Sequence, residues 1–440
     1  MSLKSTSTGA TAILLNPRPL VHASGGFLLL PLLPYRPQLK PLPLEVWTKI
    51  LAYAYEYYES EPIRPCFNTL KLGLLLICKD LKVVALPLLY ARVRISSFVC
   101  FDRFAEYLMM SDKKWDSICR IPYSTPGRWV QDLDLRELEV TLRAEAYRVD
   151  TLLSLVFPLL PFLSRLALSP TLALSRRALT SLSSRSEVVH LRVLKGLMLP
   201  TSAQVEEDAF VALLRACVNL EELSVVGSGL ELADLDMPSE SDIPLYIPPL
   251  NLPHLKKLVL LSMPSSPLMY SLLHSPLPSL NHLTITPYDD DFVPMSLVHQ
   301  FLQAHGRTLT SLHLFTVKTW PAVFLPSPPA ILQTCPNLHH LSLENPVPVL
   351  ALSKTDPPHP LQILSIPRPF PEFLAILDAL LPQLPSLKTV RARDVRWLRP
   401  GMSLRAQNAG VQGEMLEWRR RLARKGIEVV DSEWTMGVKY

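Results

Sequence analysis

The sequence is poor in the residues that most catalytic and nucleotide-binding motifs require. Its 440 residues include only 14 glycines, and neither a P-loop nor a complete GxGxxG fingerprint occurs, since the glycine pair at 227 and 229 has no third member. HExxH, GxSxG and any spacing of cysteine and histidine typical of metal ligands are also absent from the sequence. We therefore expect no enzyme activity, no cofactor and no metal site, and a function that depends on binding surfaces.

Charge and cysteine usage narrow the class of protein further. The formal net charge of +5 is small for this length, so a nucleic-acid partner is not indicated. None of the six cysteines forms a CxxC pair and no Asn-x-Ser/Thr sequon occurs, which favours an intracellular location, cytoplasmic or nuclear, with buried reduced thiols. The apolar run at residues 27–33 is too short to span a bilayer, so no membrane partner is expected.

A leucine pattern recurs through most of the chain. Residues 336–343 read PNLHHLSL, and related octets occur at 253–260, 278–285 and 385–392. Alternate residues of a strand point to opposite faces, so the final Leu-x-Leu of each octet places two apolar side chains in one layer. With looser copies the predicted pairs are Leu166/Leu168, Leu191/Val193, Leu223/Val225, Leu258/Leu260, Leu283/Ile285, Leu312/Leu314, Leu341/Leu343 and Leu364/Ile366. A single strand of this kind can bury its apolar face only against neighbouring repeats, so the pattern predicts a parallel array.

This pattern resembles the leucine-rich repeat family over residues 128–398. The resemblance implies an α/β solenoid with parallel strands on its concave face and helices or irregular segments on its convex face. Ser228, Met263 and Tyr288 stand where the family has Asn or Cys, so we expect an irregular solenoid without the regular amide ladder. Residues 399–440 are predicted to close the array with a basic helix, Glu414–Lys425, and a strand, in preference to a membrane-surface or nucleic-acid-binding helix.

The residues between the inward leucines are expected to face outwards on the concave surface. They change from repeat to repeat while the leucines persist, as expected of a face that recognises a partner. The predicted partner-binding residues are Lys257, Val259, His282, Thr284, His313, Phe315, His340, Ser342, Glu344, Arg391 and Arg393. Phe315 and the two arginines are the expected anchors. The adjacent pair His339 and His340 is expected to place one imidazole outwards rather than to bind a metal ion.

A second pattern precedes the repeats. Residues 42–51 (LPLEVWTKIL) begin with a proline and an early glutamate, which suit a helix N-terminus, and LLLICKDL (74–81) and ALPLLYARVRI (85–95) follow. These segments resemble an F-box, particularly the kind that precedes irregular leucine-rich repeats in fungal proteins. The resemblance implies a small three-helix unit, residues 41–95, that docks through an apolar face on the Skp-type linker of a cullin–RING ubiquitin ligase. The residues that match at this contact are Leu42, Pro43, Leu44, Glu45, Val46, Ile50, Leu51, Ile77, Cys78 and Lys79.

Two features depart from the F-box pattern. Leu81 stands where an aromatic residue is usual, and the stretch Tyr53–Asn68 lengthens the connection after the first helix. We also expect Pro87 to end the helix before it, because proline lacks the N–H that a helix interior needs. The alternative role for residues 41–90 is a cap on the exposed end of the array, which solenoids require in any case.

The remaining segments are predicted to connect or flank these units. Residues 1–40 contain no Asp or Glu and are expected to be a disordered leader, with a targeting peptide as the alternative. Residues 96–127 are predicted to form a connecting helix and loop, and the acidic stretch Leu230–Pro249 a loop inserted on one face of the array. The three carboxylates at 289–291 are expected to be a solvated turn rather than a cation site.

The two resemblances together imply a substrate-receptor subunit that tethers a target protein to a cullin–RING ubiquitin ligase. The alternative is a leucine-rich-repeat scaffold that binds a partner protein and has no ligase role. The two functions differ in whether Leu42, Pro43, Ile50, Leu51 and Ile77 form an exposed apolar patch or pack into the first repeat.

Overall fold

A computed structural model describes residues 42–59, 73, 75–113, 126–140, 142–185, 187–199, 208–227, 249–263, 266–287, 296–317, 328, 330–353, 356–397 and 410–436. The helices are α1 Leu44–Glu59, α2 Lys79–Ala91, α3 Phe98–Lys113, α4 Arg143–Val156, α5 Arg176–Ser183, α6 Ala209–Ala216, α7 Pro267–Leu273, α8 Val298–His305, α9 Ile331–Thr334, α10 Pro371–Leu380 and α11 Gly410–Ala423. The strands are β1 Arg92–Arg94, β2 Asp132–Leu135, β3 Arg165–Leu168, β4 Val193–Leu199, β5 Glu222–Gly227, β6 Lys257–Leu261, β7 His282–Ile285, β8 Ser311–Leu314, β9 His340–Ser342, β10 Ile363–Ile366, β11 Thr389–Ala392 and β12 Glu428–Val430. The predicted leader, nearly all of the predicted loop at 230–249 and the carboxylates at 289–291 lie outside the described residues.

The twelve strands form one parallel sheet whose spatial order is the order of the sequence. Parallel neighbours cannot be joined by a tight hairpin, so the chain returns between most strands through a helix or a short 3₁₀ turn. The predicted parallel α/β array is therefore confirmed. It is longer than the repeats indicated, because β1 from the predicted helical unit pairs with β2, and β12 from the predicted C-terminal cap pairs with β11.

One residue of each strand contributes to a single apolar row that runs the whole length of the sheet. The register places in this row Val93, Leu133, Leu166, Leu194, Leu223, Leu258, Leu283, Leu312, Leu341, Leu364, Val390 and Val429. All but Val93 are buried, and they pack with the apolar sides of the helices into one continuous core. Full burial of one such side chain contributes about 1.5–3 kcal/mol, so the row is a principal source of the array's stability.

The fourth strand differs from its predicted register. Leu191 precedes β4 and Val193 lies in an outward position, whereas Leu194 occupies the apolar row. The predicted pair Leu191/Val193 was therefore wrong, because the residue of β4 in the apolar row lies three positions after Leu191. The pairing of β4 with β5 is irregular between Leu194 and Leu197. Gly196 lies there with a φ of +73°, and its close approach to the carbonyl of Leu168 leaves no room for a Cβ atom.

Local signals in the sequence account for several helix boundaries. Side-chain oxygens of Ser175, Asp208 and Ser266 accept backbone N–H bonds and cap α5, α6 and α7. Pro371 occupies the first turn of α10, where its missing N–H is not needed.

Successive repeats are joined by hydrogen bonds from the side chain at the second position of an octet to a backbone carbonyl of the preceding repeat. Asn219 donates to the carbonyl of Val189 at 3.0 Å, and Asn337 donates to the carbonyl of Arg307 at 2.7 Å. Ser279 makes the equivalent bond to the carbonyl of its neighbouring repeat at 2.6 Å. Each bond satisfies a carbonyl at a turn that the sheet ladder does not reach, so register is fixed outside the strands as well.

The N-terminal helices have a small core of their own. Leu51, Val84 and Ala85 are buried together, and the half-buried Trp47 and Leu81 are among the side chains that pack around them. This core is separate from that of the array.

The second helix of this unit does not stop where the sequence suggested. Pro87 was predicted to end it, but α2 continues to Ala91. The hydrogen bond that Pro87 removes is that of the Val83 carbonyl, on a residue whose side chain is exposed, and the buried Val84 and Ala85 hold the helix in place from the other side.

Candidate functional site

The first helix carries apolar side chains on two sides. Leu51 and Tyr55 are each 5% exposed, and Leu51 belongs to the small core. Val46, Ile50 and Tyr53, at spacings of four and three residues, lie on one stripe and are exposed. A surface helix whose only role is to pack on a core buries one apolar face and exposes a polar face to water. Packing on the small core therefore does not explain the exposed apolar stripe of α1.

Other apolar residues of the same unit are also exposed. Ile77 is 63% exposed, and Leu76 and Val83 are more exposed still. We call the following set the apolar surface of the helical unit: Leu42, Leu44, Val46, Ile50, Tyr53, Leu76, Ile77 and Val83. Five of the residues predicted to dock on the linker, Leu42, Leu44, Val46, Ile50 and Ile77, belong to it. Large exposed apolar side chains in such numbers mark interaction sites.

Of the other predicted docking residues, Pro43, Glu45, Cys78 and Lys79 are exposed and Leu51 is buried. Leu51 is not at the surface, because it fills the small core. The carbonyl of Pro43 accepts the N–H groups of Val46 and Trp47 and so starts α1, and Glu45 lies in the first turn of that helix.

The motif residues at 78 and 79 begin α2. The Sγ atom of Cys78 accepts the N–H of Leu81 at 3.4 Å, and Lys79 is the exposed first residue of the helix. The expectation of buried thiols is correct for Cys217 and Cys335 and wrong for Cys78 and Cys100, which are exposed.

The face of the sheet opposite the helices, which we call the open face, is the predicted concave surface. Residues that alternate with the apolar row lie on it in two further rows. The first row contains Arg92, Asp132, Arg165, Val193, Glu222, Lys257, His282, Ser311, His340, Ile363, Thr389 and Glu428. The second row contains Ser224, Val259, Thr284, His313, Ser342, Ser365, Arg391 and Val430. The register thus brings most of the predicted partner-binding residues together on neighbouring strands.

The N-terminal half of the open face is an arrangement of paired charges. Asp134 accepts ion pairs from Arg136 at 2.7 Å and from Arg94 at 3.4 Å, and Lys195 pairs with Glu222 at 2.6 Å. The hydrogen bond from Lys195 holds the pKa of the Glu222 carboxyl below its usual range. Charged groups that already form ion pairs within the protein are less available to bind a charged ligand.

Histidine, arginine and tryptophan side chains form a cluster on the C-terminal half of the open face. The rings of His313 and His340 meet edge to face with centroids 4.5 Å apart, and each Nε2 lies 3.0 Å from a serine hydroxyl. The guanidinium carbon of Arg391 lies 4.5 Å above the ring of Trp434, which also contacts His340. We call His313, His340, Arg391 and Trp434 the basic cluster; the exposed His282 and Lys257 lie beside it in the first row.

At neutral pH the positive charge of the basic cluster lies on Arg391. Burial, together with the neighbouring His313 and Arg391, lowers the pKa of His340 to about 4. Burial and the nearby His282 and Arg393 also lower the pKa of His313. Both imidazoles are therefore neutral at neutral pH, and Arg391 keeps its charge.

The two arginines predicted as anchors have different roles. Arg393 donates to Glu344 Oε2 at 2.9 Å, to the Ser342 hydroxyl at 3.3 Å and to the carbonyls of Leu314 and Leu343 at 3.4 and 3.3 Å. Its side chain lies over the ends of β8 and β9, which buries Ser342 and Glu344. The expectation that these two residues face solvent is therefore corrected. Phe315, which follows β8, is exposed as expected.

Trp434 was not among the predicted site residues. The buried Asp431 carboxylate accepts the backbone N–H groups of Trp397, Glu433 and Thr435, and it folds residues 431–435 into a turn against the sheet. At the top of this turn Trp434 has a φ of +63° and its side chain is 48% exposed. An aspartate directly after an apolar strand is a turn signal that could have indicated this segment.

The comparisons with known proteins give the chain no family. No protein-family model matches the sequence, and no similar protein was found among the curated proteins. Within the described part of the chain, no three His, Cys, Asp or Glu side chains are grouped as a metal site would need. None of the helices described is both long enough and apolar enough to cross a membrane. The two candidate sites are therefore surfaces: the apolar surface of the helical unit and the open face.

Proposed function

We propose that this protein is a substrate-receptor subunit of a cullin–RING ubiquitin ligase. In this proposal residues 41–95 are an F-box that docks on a Skp-type linker, and the sheet is a leucine-rich-repeat array that binds the target protein. The observation that carries the proposal is the apolar surface of the helical unit, since five of the residues that match the F-box pattern are exposed there.

The alternative role of a cap fits this observation less well. A terminal cap covers the apolar end of a solenoid and presents a polar outer face to water. Here Trp47 and Leu51 already fill the unit's own core, yet Ile50 and Ile77 remain exposed. Covering exposed apolar side chains with a partner is favourable, by at most about 1.5–3 kcal/mol for a side chain that passes from full exposure to full burial, and a subunit of a stable complex achieves this.

The proposed mechanism requires no catalytic residue in this chain. A receptor holds a target lysine near a ubiquitin that the ligase core carries, and this raises the effective concentration of the two reactants. The array would supply the target-binding surface and the helical unit the attachment to the ligase.

Co-expression of the full chain with a Skp-type linker, followed by size-exclusion chromatography, tests the proposal. We expect co-elution, and we expect Ile77→Asp to abolish it, because the substitution places a charge in the contact without touching the small core. Val349→Asp is the matched control, since Val349 is equally exposed but lies on the array, and it should leave co-elution unchanged.

Two results would contradict the receptor function. A folded wild-type chain that elutes apart from the linker would leave the leucine-rich-repeat scaffold as the better description. Co-elution that survives Ile77→Asp would mean that the linker binds elsewhere on the chain. Circular dichroism of each variant verifies that it is folded.

A further inference from the structure

We infer that the C-terminal half of the open face binds an acidic peptide segment, with one of its carboxylates on Arg391 and an adjacent apolar side chain on Trp434. That the segment belongs to a ubiquitination target rests on the proposed function. The binding site itself rests only on the geometry of the open face.

Arg391 has hydrogen-bond donors to spare. Its Nη2 atom donates to the carbonyl of Ser432 at 2.6 Å, while its Nε atom is buried without an acceptor among the described residues. No carboxylate in the described part of the chain forms an ion pair with it. The buried Nε is out of reach of a ligand, so a carboxylate would bind the Nη atoms of the guanidinium, whose planar arrangement matches a carboxylate in geometry.

The neighbouring arginine makes the contrast clear. Arg393 is two residues away on the same side of the sheet, but its donors are taken by Glu344, by Ser342 and by two backbone carbonyls. It is therefore a structural residue. Of the two arginines predicted as anchors, only Arg391 is available to a ligand.

The charges around the basic cluster favour an acidic ligand over a basic one. Lys257, His282, Arg391 and Arg393 contribute positive or potentially positive groups. The nearby carboxylates are engaged: Glu344 and Asp394 by Arg393, Glu433 by Arg396, and Asp431 by the backbone N–H groups of its turn. Glu428, at the end of the first row, is exposed on β12, two positions before the residue that pairs with Arg391. In the N-terminal half, by contrast, opposite charges pair with each other.

The ring of Trp434 forms the apolar side of the proposed site. Its ring lies against the guanidinium of Arg391 and the imidazole of His340, and the turn built on Asp431 holds it there. About half of its surface is exposed. Tryptophan and arginine side by side are the residue types that contribute most to protein-binding energy. A segment in which an aspartate or glutamate adjoins a leucine would contact both.

Fluorescence anisotropy of the full chain with a fluorescein-labelled peptide, Gly-Glu-Glu-Leu-Glu-Glu-Gly, tests this site. We expect saturable binding with a Kd below about 1 mM and at least about tenfold weaker binding of the peptide in which glutamine replaces every glutamate. Arg391→Gln should weaken binding about tenfold, and Arg391→Lys less, because lysine keeps the charge but loses the bidentate geometry. Trp434→Ala should also weaken it.

The controls separate the loss of a contact from the loss of fold or of charge. Arg424→Gln removes one positive charge from an exposed position in the turn after α11 and should change the Kd less than about twofold. Circular dichroism and a thermal melt of Arg391→Gln show whether the rest of the chain is folded.

Three outcomes would overturn the inference. They are no binding of the acidic peptide, equal binding of its glutamine counterpart, or an unchanged Kd in Arg391→Gln. Tighter binding of a single-stranded RNA that displaces the peptide would assign the face to nucleic acid and would also overturn it. The assay contains no linker, so its result is independent of the co-elution experiment: a failure here leaves the F-box proposal standing, and the reverse also holds.

Discussion

The pair formed by Arg393 and Glu344 provides the most direct test of how the open face is built. Arg393 is 17% exposed and Glu344 is 2% exposed, and their charged atoms are 2.9 Å apart. The same guanidinium reaches the ends of two neighbouring strands through three longer bonds of 3.3–3.4 Å. We therefore expect Arg393 to stabilise the sheet, and not to bind a partner.

The expected magnitudes follow from what each substitution leaves behind. Arg393→Met leaves a carboxylate whose partners among the described residues are the backbone N–H groups of Asn345 at 3.1 Å and Thr316 at 3.4 Å. Breaking a buried ion pair in this way costs about 3–5 kcal/mol, and the two remaining donors favour the lower end. Glu344→Gln removes the buried charge and leaves an arginine that still reaches water, so it should cost about 1–2 kcal/mol.

The double variant decides whether the pair acts as a unit. Because neither charge then remains, Arg393→Met with Glu344→Gln should cost about 1–2 kcal/mol less than the sum of the two single changes. Urea unfolding followed by circular dichroism measures these values, and amide hydrogen exchange over residues 311–316 and 340–345 shows whether the loss is local. Arg396→Met is the matched control, because its ion pair with Glu433 is exposed and should contribute less than about 1 kcal/mol.

Two results would refute this reasoning. If the single changes were additive within about 0.5 kcal/mol, the two residues would not interact energetically. If Arg393→Met cost less than about 1 kcal/mol, the arginine would not be the structural residue that its contacts indicate, and it would return to the set of candidate anchors for a ligand.

Two further predictions concern the apolar row and the histidines. Leu341→Ala should lower the free energy of unfolding by about 2–5 kcal/mol, because the side chain is fully buried, and Leu341→Asp should leave the array unfolded; thermal melts by circular dichroism measure both, and an unchanged melt would mean that the register is wrong. Burial holds the pKa of His340 at about 4 instead of 6.5, so as the pH falls below 6.5 the unfolded chain takes up a proton that the folded chain does not. After allowance for its partial exposure, His340 should reduce stability by about 1 kcal/mol between pH 7 and pH 5. His340→Gln should flatten the pH dependence of urea unfolding relative to the exposed-site control His254→Gln, and identical slopes would contradict the assignment.

The repeats were predictable because one physical requirement governs them. Each strand must place a leucine in the shared layer, and octets such as 278–285 and 336–343 show this directly in the sequence. The prediction for the fourth strand was wrong because Leu191 and Val193 also fit the alternation of apolar residues. Only the turn at Gly196, a feature of three-dimensional packing, shows that Leu194 takes the position.

The composition of the open face was predictable, but the roles of its residues were not. Alternation alone places Ser342 and Arg393 on the correct side of the sheet. It does not reveal that Arg393 reaches across to Glu344, because that contact joins residues 49 positions apart. Trp434 was missed for a similar reason: it reaches Arg391 only because a turn in the predicted C-terminal cap folds onto the sheet.

The junction between the helical unit and the array bears on the proposed mechanism. A receptor that works by proximity must hold its two surfaces at a fixed separation, because a flexible connection lowers the effective concentration of the bound target. Here α2 runs directly into β1, which is paired with β2. The ring centroid of Tyr90, in the last turn of α2, is 6.1 Å from that of Tyr107 and 6.0 Å from that of Trp129. The helix that begins at Lys79 and the first strand of the sheet therefore form one continuous element. The helical unit is thus attached to the array through paired backbone and packed aromatic rings, which is the kind of connection that a proximity mechanism requires.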